Sequence, residues 1–232
     1  MEFNIRAGRP SPVSSTMANI RKIDSFLRGI GAAYEGPSIG TALWIIILAS
    51  PLYGMAMGAF DVRGERALYS LYSAVKMPVM ILATAAICLP GFIVLNTVLG
   101  LRDDLRQSLR AIACSQATFA LAISSLAPFT LLVYASGVDH RWAVLFNGLM
   151  FFLATLMAQR VLWSRYRPLL DRSAKHTVLL FAWVGAYVFV GVQTGWMLRP
   201  FIGTPGFNPS FFRSEPFSNA YVVVWHLIIG GS

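Results

Sequence analysis

Residues 77–100 read MPVMILATAAICLPGFIVLNTVLG, twenty-four positions without an Asp, Glu, Lys or Arg. At a rise of about 1.5 Å per residue, about 20 residues cross a hydrocarbon layer of about 30 Å. The same absence of charge recurs over 39–60, 111–136, 142–159 and 177–198. The shortest of these holds 18 residues, just enough to span. In lipid every backbone N–H and C=O must be satisfied within its own segment, so each stretch is expected to be a helix. The fold class that follows is all-α, an integral membrane bundle of five transmembrane helices.

The composition of the 232-residue chain agrees. Hydrophobic residues make up 56% and charged residues 12%, with a mean hydropathy of +0.61. A soluble domain carries about 25% charge. Disorder, coiled coil and collagen are excluded by the same numbers, because the apolar fraction is high and no short period runs through the chain.

Two further pieces flank the bundle, giving the divisions 1–38, 39–198 and 199–232. The first holds a Pro/Ser/Arg-rich arm, then apolar residues at Met17, Ile20, Ile23, Leu27, Ile30 and Tyr34. That spacing makes one apolar helical face, expected to lie in the membrane interface as an amphipathic helix. No apolar run in this segment reads as a cleavable signal peptide, so the first span is expected to direct insertion. Into the last division runs the stretch WMLRPFIGTPGFNPSFFRSEPFS (196–218), which starts at the end of the fifth span and is rich in proline, glycine and phenylalanine. This loop is expected to be ordered against the bundle, a ligand or a partner. The eleven apolar residues 220–230 follow and are too short to span alone.

Basic residues set orientation. Segments 1–38, 101–110 and 160–176 together carry 13 Lys and Arg, and the alternate connections carry 6. The amino terminus and the two basic loops are therefore expected in the cytoplasm, with the protein in a cell inner (cytoplasmic) membrane. The same bias accounts for a pI of about 10.1 without nucleic acid, for which no motif is present. In 101–110, leucines recur at 101, 105 and 109 and arginines at 102, 106 and 110. A helix that continues one span along the surface is expected, with the leucines down and Arg102, Arg106 and Arg110 toward lipid headgroups.

Small residues mark helix-packing faces: Ser50, Gly54 and Gly58 in the first span, Gly191 and Gly195 in the fifth. They let backbones approach where the hydrophobic effect gives no helix–helix drive. The third span carries Ser115, Thr118, Ala122 and Ser125 on one face with Gln116 nearby. This face reads either as a polar path or as hydroxyls bonded to their own carbonyls. Pro51, Pro90 and Pro128 fall inside spans and are expected to kink them.

Catalytic chemistry is sparse. None of the five charge-free stretches contains an acid, and Lys76 only borders the second. That argues against proton pumps and carboxylate-coupled carriers. No phosphate loop and no intramembrane Ser/His pair is present, and Cys88 and Cys114 read as buried thiols rather than metal ligands. His140 and His176 sit at loop edges, where solvation is expected. His226 alone lies in an apolar run and is the one candidate ligand for a tetrapyrrole pigment or haem. A histidine hydrogen-bonded at the interface is the plainer reading.

The five spans after an amino-terminal segment, with KMPVMILATAAICLPG (76–91) and WMLRPFIG (196–203), resemble bacterial Yip1-like membrane proteins of unassigned function. The resemblance covers about residues 35–215. It implies a five-helix bundle and no catalytic residue. The expectation is a non-catalytic membrane scaffold or accessory subunit that meets lipids and, through 199–232, other membrane subunits. The alternatives are a channel or carrier for a neutral or lipid-like solute, or a pigment- or haem-bearing subunit.

Overall fold

The computed structural model describes residues 37–60, 67–202 and 211. The amphipathic segment before residue 37, the apolar segment 220–230 and His226 lie outside them. Among the described residues there is no strand. The helices are α1 (Ile39–Gly58), α2 (Ala67–Val98), α3 (Leu105–Ser125), α4 (Ala127–Ala135), α5 (His140–Leu170) and α6 (Lys175–Met197). A 3-10 turn, Arg102–Asp104, leads into α3.

Local chemistry explains the ends. The Ser38 hydroxyl caps α1 by accepting from the Thr41 amide at 3.1 Å, as a serine before a first turn should. Gly100 and Gly137 adopt φ of +73°, the left-handed turn that closes α2 and α4 and that glycine enters without steric cost. Pro128 stands in the first turn of α4. It has no N–H to continue α3, so that span breaks at Leu126 into two helices. Pro51 and Pro90 stay inside α1 and α2.

Among the described residues, five lengths are long and apolar enough to cross a membrane: Ile39–Gly58, Leu68–Val98, Arg102–Ala135, His140–Leu170 and Lys175–Met197. Four of them extend beyond the charge-free stretches, the last by only two residues at Lys175, and the three larger excesses bear on expectations. First, α2 begins at Ala67 and takes Lys76 inside the helix, so Lys76 does not merely border it. Second, α5 continues past Gln159 through Arg160, Arg165 and Arg167 to Leu170. Third, 101–110 is a 3-10 turn and the opening of α3, so the segment is continuous with its span from Leu105 onward. Leu105 and Leu109 pack against the protein core there rather than onto a membrane surface. A helix can run on beyond its apolar stretch where long arginine side chains reach polar surroundings; Lys76 is instead taken up inside the protein.

In the packing, α1 lies against α2 and α3, α3 against α5, and α2 against α6. One core cluster, including Phe92, Ile112, Tyr166 and Trp183, fills the end where α2 turns into α3 and α5 into α6. A second, including Tyr53, Met57, Met77 and Met150, fills the opposite half. The outward faces are apolar, with Leu48, Val98 and Leu132 all about two-thirds exposed or more, a surface that suits hydrocarbon and not water.

Candidate functional site

α5 and α6 touch near the turn that joins them, where Trp163 meets Phe181 at 5.6 Å and Tyr166 meets His176 at 5.9 Å between ring centres. Farther along, α6 stays on α2 while α5 stays on α3, and the two helices part. The space between them is a cavity of about 1240 Å³. Its walls come from α2 (Met80, Thr84), α3 (Gln116, Phe119), α5 from Val144 to Gln159, and α6 from Tyr187 to Gly195. Small-molecule pockets commonly hold about 300–1,000 Å³, so this one has room for more than a compact solute. Val144, Val188 and Val192 line it and are nevertheless 46%, 53% and 48% exposed. The cavity therefore opens sideways through the slot between α5 and α6.

A band of polar groups crosses the apolar wall. Tyr187 donates its hydroxyl to Gln116 Oε1 at 2.6 Å. Ser115 donates to the Ala158 carbonyl at 3.0 Å, tying α3 to α5 one residue before both Gln116 and Gln159. The Oε1 of Gln159 is buried with no hydrogen-bond partner among the described residues. Thr84 and Thr155 return their hydroxyls to their own helices, on Met80 and Phe151. The polar-path reading of the third span is thus divided: Ser115 and Gln116 line the cavity, while Thr118 and Ser125 bond their own helix at Cys114 and Ala122.

One end of the cavity is roofed by residues 199–202. Lys76, fully buried inside α2, donates to the Pro200 carbonyl at 2.7 Å. The ring centres of Phe211 and Phe201 lie 4.9 and 5.8 Å from its ammonium, within cation–π range. One turn earlier, Ser73 donates to the Phe201 carbonyl at 2.5 Å. Arg199 stacks on the Trp196 ring. Beneath the roof, Tyr53 donates to Asn147 Oδ1 at 2.7 Å, and Asn147 Nδ2 donates to the Tyr134 hydroxyl at 2.6 Å. These bonds join α1, α4 and α5 beside the cavity wall.

At the far end, Asp104 holds His176 at 3.1 Å and Arg172 at 2.5 Å. His176 is fully buried, which corrects the expectation of a solvated histidine at a loop edge. Its position at the start of α6 turns the ring inward onto Tyr166. His140 stands in the cavity wall with its ring 5.5 Å from Phe60.

The remaining sequence candidates are placed as follows. Gly54 and Gly58 lie directly on the α2 backbone: a Cβ on Gly58 would fall 2.6 Å from Ser70 Cα, and one on Gly54 would overlap the Ser73 carbonyl. Ser50 is buried and bonds the Ile46 carbonyl. Gly191 and Gly195 belong to the cavity wall, where a Cβ would meet only the side-chain tips of Thr84 and Met80 at 3.5 and 3.7 Å. Arg102, Arg106 and Arg110 are exposed along the start of α3. Cys88 and Cys114 are buried, free thiols. Among the described residues no three His, Cys, Asp or Glu gather as a metal site would require. Sequence reasoning missed Asn147, Gln159 and Tyr187, whose only signal is to be polar residues in apolar runs, and it left Lys76 at the border of its span.

Comparison of the chain with protein-family models, with curated proteins and with solved structures finds no match.

Proposed function

We propose that the protein is a multi-pass membrane protein that binds a lipid-like molecule drawn sideways from the bilayer, without chemically changing it. The observation that carries this reading is the cavity that opens through the α5–α6 slot. A binder for a water-soluble solute needs an aqueous mouth, whereas the half-exposed lining residues here are valines, a rim suited to lipid chains. The lining offers amides, hydroxyls and apolar side chains, groups suited to holding a ligand. The accessory-subunit reading draws on 199–232 as a docking surface. It is the weaker one, because 199–202 is bound by Lys76 and Ser73 of the same chain and 220–230 lies outside the described residues.

The test is to purify the protein from native membranes in mild detergent, extract it with organic solvent and identify the lipids by mass spectrometry. Gly191→Phe, which fills the cavity opposite Thr84, serves as the comparison. We expect one lipid species to be enriched about stoichiometrically in the wild type and lost from the variant. Identical lipid complements in the two would overturn the reading.

A further inference from the structure

We infer that the ligand's polar group is an uncharged hydroxyl held at mid-depth by Gln116, Gln159 and Tyr187, the chemistry of a monoacylglycerol or long-chain alcohol. This rests on the lipid-binding reading of the same cavity. Thr84, Gln116 and Tyr187 each fall within three residues of the midpoint of their membrane-length segments, Leu68–Val98, Arg102–Ala135 and Lys175–Met197. The polar band therefore sits near the middle of these segments, roughly 15–30 Å from their ends at about 1.5 Å per residue. An ordinary phospholipid keeps its headgroup at the interface and would set only acyl chain against these amides.

The donors and acceptors of the band define what it takes. Tyr187 spends its proton on Gln116 Oε1, which leaves the Gln116 Nε2 as a donor without a partner among the described residues. Gln159 Oε1 is an acceptor without a partner there. The Ser115–Ala158 bond brings these two side chains to neighbouring positions on the α3–α5 seam. A hydroxyl both donates and accepts, so it answers the Gln159 carbonyl and an amide N–H together. A carboxylate accepts only and would set its charge against the Gln159 oxygen. A phosphate would have to lose its hydration at mid-depth with no cation beside it. Among the described lining residues, the only Lys, Arg, Asp or Glu is Arg199, beyond the end of α6 and twelve residues past Tyr187. The apolar remainder of the lining, Met80, Phe119, Phe151 and Val188 among it, offers surface for an acyl chain.

Radiolabelled 1-monooleoylglycerol, titrated into the purified protein in nanodiscs, tests this against unlabelled oleate, dioleoylphosphatidylglycerol and octadecane as competitors. We expect saturable binding at one site, displaced by oleyl alcohol but at least ten-fold less well by the three competitors. Gln159→Leu should weaken binding about ten-fold, the scale of one lost hydrogen bond to a buried group, and Gly191→Phe should abolish it. Binding that octadecane or oleate displaces equally well, with Gln159→Leu unchanged, would leave a lipid cavity and overturn the hydroxyl assignment. No saturable binding of any probe would overturn both readings. Should Gln159→Leu fail to fold, the competition series on the wild type decides alone.

Discussion

Lys76 and Pro200 are joined across 124 positions of sequence, the ammonium donating to the proline carbonyl at 2.7 Å. Each group needs the other. A backbone carbonyl turned into the protein needs a donor, and a buried ammonium without an acceptor is costly. Two phenylalanine rings take the remaining face of the charge. The pair straps the chain after α6 to the first third of α2, and so closes one end of the cavity.

Lys76→Met keeps the length of the side chain and removes its donor and charge. The gain from no longer desolvating an ammonium offsets part of the lost bond, about 1.5–3 kcal/mol for a charged donor. Global stability should therefore change little while the strap loosens. Hydrogen exchange at the Phe201 and Ile202 amides should rise about ten-fold, with amides in α3 and α5 unchanged. Equal protection of the strap in both proteins would show that Ser73 and the phenylalanines hold it without the lysine.

The two glycine pairs should behave differently. Gly58→Ala puts a methyl group 2.6 Å from Ser70 Cα, a backbone atom that cannot step aside. Gly191→Ala places the same methyl 3.5 Å from the Thr84 side chain, an ordinary contact. Overpacking of this kind costs about 1–3 kcal/mol, so Gly58→Ala should lower the thermal midpoint in detergent by several degrees. Gly191→Ala should leave it within about a degree. Similar losses for both would mean that α6 and α2 approach more closely than the cavity allows.

These contrasts bear on what the sequence could disclose. Five apolar stretches between basic loops gave the number, order and helical state of the membrane-length segments, because lipid imposes a length and a charge rule that composition reveals directly. Helix ends were less legible. A rule that stops at the first charge trims α2 at Met77 and α5 at Gln159, although both helices continue. The GxxxG spacing at 191–195 reads like that at 54–58, yet only the latter meets a backbone. Spacing shows that a helix can be approached, not whether another helix comes. The cavity was illegible for a similar reason: it exists because α5 and α6 follow different partners, a fact of tertiary packing. Its polar band was visible only in part, at Ser115 and Gln116, because a tyrosine or glutamine in an apolar run does not reveal which way it faces.

Asp104 and His176 should be coupled more strongly than Asp104 and Arg172. The histidine is fully buried, while the Arg172 side chain is 57% exposed. An exposed ion pair contributes about 0–1 kcal/mol, whereas a buried group that loses its partner costs about 1–3 kcal/mol. His176→Phe keeps a ring against Tyr166 and should destabilise by the larger amount; Arg172→Ala should cost no more than the smaller. A double-mutant cycle with Asp104→Leu, read by unfolding in detergent, checks the order. A larger coupling to Arg172 would show that the surface pair, and not the buried one, fastens α3 to α6.

Sidedness is the last prediction, and the packing sharpens it. Lys175 donates to the Leu99 carbonyl at 3.0 Å and Arg172 reaches Asp104, so the 99–104 and 171–175 turns occupy one end of the bundle. The Phe60–His140 ring contact and the Ser73–Phe201 bond place the other connections together at the opposite end. Arg102, Arg106, Arg110, Arg172 and Lys175 thus gather at one end, whereas Lys76, one of the six opposing basic residues, is withdrawn into a helix. The effective imbalance is larger than 13 to 6, and short basic loops remain in the cytoplasm. Arg172→Cys and Asp139→Cys, both at exposed positions, report the two ends against a background of two buried native thiols. A membrane-impermeant maleimide added outside intact cells should label Asp139→Cys alone, and both variants once the membrane is permeabilised. Labelling of Arg172→Cys from outside would invert the bundle and move the Lys76–Pro200 strap to the cytoplasmic end.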